Sequence, residues 1–336
     1  MATNITETVP TGAIRYNTDS NKMECFNGTK WMQVAVSSPD LNGGSRGLFG
    51  GGYTPSFINT INYITIETAG NAIDFGDLTY TDSNVCSSNA SRTRGMWFGG
   101  GEEPSAENNN INYVTIATTG NAADFGDLTQ ARRGSATVAS ATRAVVCGGR
   151  TPTIQNIMDY VTMASLGNAV DFGDIDGKNG ECSSMVPGSS PTRGVLMGGT
   201  GPASQTDISY ITIATTGNDR HFGDLSKASN SSGGCSNAIR AICRIRETAF
   251  VDSIQIATRG NGTNFGTATP GIYGSMLSSP TRGVLGTYTA SPATGTGLNT
   301  MEYISFHTGG EFVDFGDMTA TIKQRNGGCS NNHGGL

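Results

Sequence analysis

The sequence has little charge and no excess of basic residues. Charged residues make up 14% of the 336-residue chain, and the formal net charge is −6. Nucleic acids and anionic membrane surfaces are bound through clustered Lys and Arg, which this composition does not supply. We therefore expect neither a nucleic-acid partner nor binding at a membrane surface.

Long apolar runs are also missing. No segment approaches the roughly 18 apolar residues that a membrane-spanning helix needs. The opening residues, MATNITETVPTG, lack the basic and apolar regions of a secretory signal. We therefore expect no membrane insertion and no signal peptide, and a soluble protein that is made in a cytoplasm.

Catalytic and metal-binding patterns are absent as well. The histidines, His221, His307 and His333, share no spacing, and the sequence holds no GxSxG elbow, phosphate-binding loop or Ser/His/Asp order. The cysteines form no CxxC pair and no cluster of zinc spacing. Four cysteines recur in similar contexts and are interpreted as small buried residues: Cys86, Cys182, Cys235 and Cys329. We expect no enzyme activity, no cofactor and no metal.

Turn-forming residues are abundant. The chain contains 48 Gly, and Ser, Thr and Asn fill most intervals between its apolar runs. Such a composition is poor in helix formers and favours many short strands. We therefore predict an all-β fold.

The octapeptide NAIDFGDL at residues 71–78 contains the Asp-Phe-Gly triplet that holds magnesium in protein kinases. Close copies follow at 121–128, 168–175, 218–225, 261–268 and 311–318. A kinase carries the triplet once, with a glycine-rich loop, a strand lysine and a catalytic loop, and the sequence lacks these companions. Repetition indicates an element of the fold.

Each copy belongs to a longer repeat that opens at an arginine. The arginines are Arg46, Arg94, Arg143, Arg193, Arg240 and Arg282. They lie about 42 to 50 residues apart, and a period of this length is typical of β-propeller blades. A strand of small residues precedes the arginine, and an apolar strand ending in a double glycine follows it. An alternating strand then leads to a turn in which Gly and Asn supply positive φ, and the FGD segment returns as the last strand.

Four strands form one antiparallel sheet that cannot cover both of its faces, so copies must stack, and a radial arrangement closes them into a ring. The C-terminal NGGCSNNHGGL matches the strand of small residues but has no unit after it. We predict that this strand completes the first unit. The predicted blades cover about 46–78 with 326–334, 82–128, 133–175, 180–225, 232–267 and 272–318.

The order of these elements, the double glycine and the SSPTR link at 189–193 and 278–282 resemble the kelch-type propeller blade over roughly residues 46–336. The last strand departs from the kelch pattern because it has Phe in place of Trp, and the fifth and sixth units lack the double glycine. The resemblance implies a six-bladed kelch-like β-propeller over residues 42–336.

The repeated motif has a structural interpretation. The phenylalanines fill the space between blades and are Phe75, Phe125, Phe172, Phe222, Phe265 and Phe315. The glycine between Phe and Asp permits a close backbone approach. The second Asp of the motif is Asp77, Asp127, Asp174, Asp224 or Asp317. Its side chain is expected to accept backbone N–H groups at the turns or to pair with the repeated arginine. The fifth unit has Asn264 and Thr267 instead of acids, so an Arg–Asp pair is not required in every blade.

Residues 1–40 form a separate module of different character. The stretch from 10 to 36 reads as a β-meander with turns at TDSN and NGT. Ile14, Tyr16, Met23, Phe26 and Trp31 give it an apolar face. A sheet of this size is marginal alone, so the face packs on the propeller or on another chain, and docking on another subunit is preferred.

The string PTGAIRYNTDSNKMECFNGTKW at 10–31 resembles a short module of bacteriophage tail-fibre and other virion proteins. The TTGNAADFGDLT repeats are similar to those in structural proteins of marine phages. The resemblance implies a virion location, with other tail or capsid proteins as partners and with several copies or a homo-oligomer on the particle.

Two functions remain open. The first is a non-enzymatic virion structural protein, a tail appendage, fibre or decoration subunit that is anchored by its N-terminal module. The second is a receptor-binding or lectin-like adhesin, in which the variable loops after each double glycine recognise host surface glycan. The loops lack a repeated aromatic residue for sugar stacking, so glycan binding ranks second.

Overall fold

A computed structural model describes residues 9–18, 22–33, 45–53, 56–81, 87–102, 106–176, 184–201, 203–286, 289, 297–322 and 326–336. The described residues contain strands and turns but no helix, and the prediction of an all-β fold is confirmed. Accordingly, none of these residues belongs to a helix long and apolar enough to span a membrane. The chain divides into two compact units, Met1–Gly43 and Gly44–Leu336.

The first unit contains one antiparallel sheet. Its strands, in sheet order, are β1 (Ile14–Asn17), β2 (Lys22–Phe26) and β3 (Trp31–Gln33). The β2–β3 turn is held by Asn27, whose Oδ1 accepts the N–H groups of Thr29 and Lys30 at 3.0 and 2.9 Å. Such side-chain bonds are typical of Asn in tight turns.

The second unit begins with three antiparallel sheets. Sheet I contains β4 (Arg46–Tyr53), β5 (Phe57–Thr65) and β6 (Ile73–Asp77). Sheet II contains β7 (Ser88–Ala90), β8 (Arg94–Glu102), β9 (Ala106–Thr115) and β10 (Ala123–Asp127). Sheet III contains β11 (Ala136–Ala139), β12 (Arg143–Cys147), β15 (Ile157–Thr162) and β16 (Val170–Asp174), with the small hairpin β13 (Arg150–Thr151) and β14 (Thr153–Ile154) between β12 and β15.

Three further sheets follow. Sheet IV contains β17 (Val186–Ser189), β18 (Arg193–Met197), β19 (Gln205–Thr212) and β20 (Arg220–Ser229). Sheet V contains β21 (Gly234–Ser236), β22 (Arg240–Arg244), β23 (Phe250–Gln255) and β24 (Thr263–Thr267). Sheet VI contains β25 (Met276–Ser278), β26 (Arg282–Leu285), β27 (Leu298–Ser305) and β29 (Val313–Ile322), and β28 (Gly310–Glu311) pairs in parallel with β24 of sheet V.

The C-terminal strand, β30 (Gly327–Ser330), is the fourth strand of sheet I. It runs antiparallel to β4, with Cys329 opposite Leu48 and Gly327 opposite Gly50. The residues after β30 remain attached to the unit, since Gly334 donates its N–H to Ser236 of sheet V at 2.9 Å. Both ends of the second unit therefore meet in one sheet.

In each sheet, one edge strand pairs with the arginine-bearing strand and also contacts the corresponding edge strands of two other sheets. These inner strands touch in the order β30, β7, β11, β17, β21 and β25, and β25 touches β30 again. The contacts between inner strands therefore form a closed circuit. We call these six strands the inner strands.

Among the described residues, the apolar core of the second unit consists of six clusters, and each cluster lies between two sheets that follow one another. One example joins Phe49, Ile64 and Ile66 of sheet I to Val284 and Phe315 of sheet VI. The other five clusters join I to II, II to III, III to IV, IV to V and V to VI. Each sheet thus buries both faces against its two neighbours. A single sheet would leave these faces exposed to water and would not be stable alone.

Candidate functional site

The FGD segment joins its sheet to the next one through backbone hydrogen bonds. In sheet I the Phe75 carbonyl accepts the N–H of Gly120, at an N···O distance of 2.8 Å. The Asp77 carbonyl accepts the N–H of Ala122 at 2.7 Å. Asn121 adds its side chain, because its Oδ1 accepts the N–H of Asp77 at 3.1 Å. We call this set of three bonds the FGD junction.

The FGD junction occurs between five of the six successive pairs of sheets, including the pair from VI back to I. The asparagines that accept the N–H of the second Asp are Asn71, Asn121, Asn168, Asn218 and Asn261. Between sheets V and VI, Glu311 stands at the asparagine position and β28 pairs with β24 instead. The bond from the Phe312 N–H to the Thr267 carbonyl, at 2.8 Å, persists there.

The glycine of the FGD segment allows this close approach. At Gly76, where φ is +147°, an added Cβ would lie 2.5 Å from the carbonyl oxygen of Gly120. The expectation that Gly and Asn of the turn both supply positive φ is correct for Gly120, at +155°. It is wrong for Asn, because none of the non-glycine residues with positive φ in the described chain is an asparagine. The asparagine uses its side chain on the neighbouring sheet instead.

The repeated arginines also bind the following sheet. Arg46 Nη1 of sheet I donates to the carbonyl oxygens of Ile116 and Ala117 in sheet II, at 2.8 and 3.2 Å. Arg282 Nη1 of sheet VI donates to Ile66 and Glu67 of sheet I, at 3.2 and 2.8 Å. Equivalent bonds start from Arg94, Arg143, Arg193 and Arg240. The guanidinium groups thus donate to backbone carbonyl oxygens. The Asp side chains that the sequence offers as alternative partners of these arginines are not used in these bonds.

Each arginine also stacks on an aromatic ring of its own sheet. In sheet III, Arg143 Cζ lies 4.2 Å from the centroid of the Tyr160 ring. The Tyr160 and Phe172 centroids are 6.0 Å apart at an interplanar angle of 77°, an edge-to-face arrangement that aromatic pairs prefer. Equivalent stacks contain Tyr63, Tyr113, Tyr210 and Tyr303.

The fifth unit departs from this stack. Ser253 takes the place of the tyrosine opposite Ile242, and Arg240 Cζ lies directly over the Phe265 ring at 4.6 Å. Phe265 is half-buried, while the other five repeated phenylalanines are buried. The arginine therefore keeps an aromatic partner although the motif has changed.

The sequence reasoning missed a second repeated contact between sheets. A polar residue directly precedes the stacked tyrosine in strings such as INYI and MDYV, and it precedes Ser253 in the fifth unit. It accepts hydrogen bonds from the Thr or Ser that lies two residues after the FGD segment of the preceding sheet. Asn112 Oδ1 accepts the Thr79 N–H at 2.9 Å, and Asp252 accepts the Ser226 N–H and hydroxyl at 2.7 and 2.9 Å. Equivalent pairs are Asp159 with Thr129, Glu302 with Thr269 and Asn62 with Thr319. The available signal was a polar residue inside an apolar strand.

One of these polar residues also forms a buried ion pair. Asp159 Oδ2 and Arg132 Nη1 are 2.8 Å apart, and both side chains are fully buried. Arg132 also donates to the Val146 carbonyl at 3.3 Å. These bonds compensate part of the cost of removing two charges from water, so the pair ties the sheet II–III linker to sheet III.

The meander does not present the five predicted apolar residues on one face. In the register, Tyr16 lies opposite Met23, and Phe26 lies opposite Trp31. Met23 and Phe26 are an odd number of residues apart on β2, so their side chains point to opposite faces. The prediction of a single face is wrong for this reason. Ile14 lies on the Met23 face.

The two faces of the meander differ in chemistry. On one face Ile14, Tyr16, Met23 and Met32 are exposed large apolar side chains. On the other face Arg15 Cζ lies 4.2 Å from the centroid of the Trp31 ring. Hydrogen bonds from Asn17 and Arg15 lower the pKa of Glu24 on that second face. We call the first surface, formed by Ile14, Tyr16, Met23 and Met32, the meander apolar face.

Histidines and cysteines occupy separate places. Burial raises the pKa of Cys329 to about 12, and Cys235 is also buried, whereas Cys86 and Cys182 lie outside the described residues. His221 Nδ1 is 2.6 Å from Asp207 Oδ1 on sheet IV. Within the described ranges, no group of three or more His, Cys, Asp or Glu side chains could hold a metal ion.

His333 lies in the C-terminal segment. Its Nε2 is 2.7 Å from the Ala90 carbonyl oxygen, and its Nδ1 accepts the N–H of Gly335 at 3.0 Å. Burial lowers the pKa of His333 to about 4. The neutral ring therefore fastens the C-terminal segment to sheet II.

Taken together, the repeated residues hold sheets together. Their carbonyl, N–H and guanidinium groups bind one another across the gaps between sheets.

Compared with protein-family models and with curated proteins, the chain shows no match.

Proposed function

We propose that the chain is a non-enzymatic structural protein of a bacteriophage particle, a tail appendage, fibre or decoration subunit. Its second unit is a six-bladed kelch-like β-propeller closed by β30, and its first unit is the attachment module. Other tail or capsid proteins are its partners, and it is present in several copies. The resemblance of residues 10–31 to tail-fibre modules motivates the particle assignment.

The propeller part of the proposal is supported by the contacts between sheets. Successive sheets share a core cluster, and sheet VI shares one with sheet I. The FGD junction and the arginine bonds also run from VI to I. A ring arrangement gives every sheet two neighbours and leaves no long open edge.

The attachment role rests chiefly on the meander apolar face. Ile14 is 63% exposed and Tyr16 is 55% exposed, on a sheet of only three strands. Sheets this small gain stability by packing on another surface, and exposed apolar patches are typical of interaction sites. We therefore assign this face to the contact with another virion protein.

The non-enzymatic role is supported by how the motif is used. The Asp-Phe-Gly triplet contributes its backbone to a junction in which a side chain on glycine would not fit. The repeated arginines hold carbonyl oxygens. These groups act in the fold, so the repeat supplies structure and the loops remain for contacts with partners.

Particle incorporation tests the proposal. Phage particles carrying the full chain are purified on a density gradient, and the chain is quantified against the major capsid protein by mass spectrometry. We expect a fixed copy number per particle, which falls at least about tenfold in the double variant Ile14→Asp/Tyr16→Asp, because each buried charge costs several kcal/mol. Ile73→Asp is the matched control, since Ile73 is 56% exposed on sheet I, and it should be incorporated normally.

Two results would contradict the proposal. Absence of the chain from purified particles would remove the virion role. Normal incorporation of the Ile14→Asp/Tyr16→Asp variant would remove the meander apolar face as the attachment surface.

A further inference from the structure

The inner strands line a cavity whose residues have no part in the FGD junctions or the bonds of the repeated arginines. It has a volume of about 60 Å³ and is lined by residues from β7, β17, β21, β25 and β30 and from the segments that precede them. Because successive strands are antiparallel, the start of each inner strand lies beside the end of the arginine-bearing strand. The loop that follows the arginine-bearing strand therefore lies at the same end of the sheet. The cavity is therefore at the loop end of the second unit.

The described lining mixes polar and apolar groups. Hydroxyl groups come from Ser184, Ser231, Ser232 and Ser275, and Asn326 adds an amide. Met185, Pro187 and Met276 supply apolar surface beside them. Among the residues that the structure describes, none that lines the cavity is Lys, Arg, His, Asp or Glu. This part of the lining suits a neutral molecule with both hydroxyl and C–H groups.

Asn326 positions one of the serine hydroxyls at this cavity. Its side chain is 2% exposed, and Ser275 Oγ is 2.7 Å from its Oδ1. This bond fixes the orientation of the Ser275 hydroxyl, and Ser275 also lines the cavity.

Three residues at the cavity have a backbone conformation that glycine adopts more readily. Ser184, Ser231 and Tyr273 have φ of 57°, 48° and 58°, and all three line the cavity. Backbone bonds link them in a row, from the Ser231 N–H to the Ser184 carbonyl at 3.0 Å and from the Tyr273 N–H to the Ser231 carbonyl at 2.8 Å.

Sheet III shows that glycine fits this position. Gly134 precedes the Ser184 site in the same row, since the Ser184 N–H donates to its carbonyl, and its φ is 67°. Gly134 does not line the cavity. Three of the four described non-glycine residues with positive φ therefore line the cavity, and such strained positions are concentrated at functional sites.

We propose that this cavity binds one end of a small neutral polyhydroxylated molecule, a polyol or the terminal hydroxyls of a saccharide. A water-sized group needs roughly 10–15 Å³ of such volume, so about 60 Å³ holds a pair of adjacent C–OH groups. The serine hydroxyls donate to and accept from the two hydroxyls, Asn326 holds the Ser275 hydroxyl in place, and the methionines cover the carbons. This inference does not depend on a virion role.

Saturation-transfer NMR on the full chain tests the proposal with glycerol and methyl α-D-glucopyranoside as probes. Sodium acetate is the charged comparison. We expect saturable binding of at least one hydroxylated probe and none of acetate. Ser231→Gly and Asn326→Leu should each raise the Kd about three- to tenfold, because each removes one hydrogen bond.

The variants also separate a ligand role from a structural one. Ser231→Gly should keep or raise Tm, since glycine suits this φ, and yet bind more weakly. Glu247→Gly is the matched control, because Glu247 has φ of 59° but does not line the cavity, and its Kd should not change. If Asn326→Leu does not fold, Ser231→Gly decides alone. Absence of saturable binding, or an unchanged Kd in Ser231→Gly, would overturn the proposal.

Discussion

Replacement of the FGD glycine tests whether close approach at the FGD junction stabilises the second unit. In Gly126→Ala, the new Cβ would lie 2.6 Å from the carbonyl carbon and oxygen of Gly167. Gly167→Ala is the matched control, because nothing lies within 4 Å of the Cβ added there. The φ values are nearly equal, +146° and +151°, so the backbone strain of an alanine is common to both variants.

The difference between the two variants follows from the bonds that the clash would break. Sheets II and III must move apart to admit the Cβ of Gly126→Ala, which lengthens the Gly167 N–H···O=C Phe125 bond, now 3.0 Å, and the Ala169 N–H···O=C Asp127 bond, now 2.8 Å. A net contribution of about 0.5–1.5 kcal/mol for each bond gives an extra loss of about 1–3 kcal/mol in Gly126→Ala.

Urea unfolding of both variants and of the unmodified chain, followed by far-UV circular dichroism, measures this difference. The free energies of unfolding are compared at equal m-values, since a changed m reports a change in the unfolded or folded state rather than in stability. Equal unfolding midpoints for the two variants, or a lower midpoint for Gly167→Ala, would refute the role of close approach.

Three further predictions concern single contacts. Arg282→Met should lower the free energy of unfolding by about 1–3 kcal/mol, because it removes two carbonyl bonds to sheet I and the stack on Tyr303; an unchanged urea midpoint would contradict this. Asp159→Asn and Arg132→Met should each cost about 3–5 kcal/mol and the double variant less than their sum, because each single change leaves part of a buried pair uncompensated; additive losses in a double-mutant cycle would show that the two side chains are not coupled. His333 has a lowered pKa of about 4 in the fold, whereas an unfolded His titrates near ~6.5; the unfolded chain therefore binds more protons between these values, and stability should fall as pH drops from about 6.5 to about 4. His333→Gln should make urea midpoints less dependent on pH across this window, and an unchanged pH dependence would contradict the assignment.

The repeat could be located from the sequence because its residues act in the same way in most units. Arg46 and Arg282 bind equivalent carbonyl oxygens of the next sheet. Phe75 and Phe315 are both buried between sheets. Such identical demands preserve residue type at a constant period, so the period and the strand order are visible in one chain.

The partners of these residues could not be predicted, because they belong to the neighbouring unit. Asn121 binds Asp77 of the preceding sheet, and no local pattern tells a turn asparagine with positive φ from one that reaches across. Asn112 poses the same difficulty, since its partner Thr79 is 33 residues away. Contacts across a gap between sheets depend on how the sheets are placed, and local propensity does not contain that information.

The composition of each meander face, in contrast, can be predicted from the sequence. Side chains alternate along a strand, so Met23 and Phe26 on β2 could not share a face. Choosing residues by hydrophobicity alone merged the two faces. Counting positions would have placed Ile14, Tyr16 and Met23 together and left Phe26 with Trp31.

A crystallographic or electron cryo-microscopy density map of the full chain tests the closed ring of sheets most directly. We predict six radial sectors in the second unit, with Gly327–Ser330 paired to the arginine-bearing strand β4. Five or seven sectors, or a C-terminal strand paired to any other sheet, would contradict the ring.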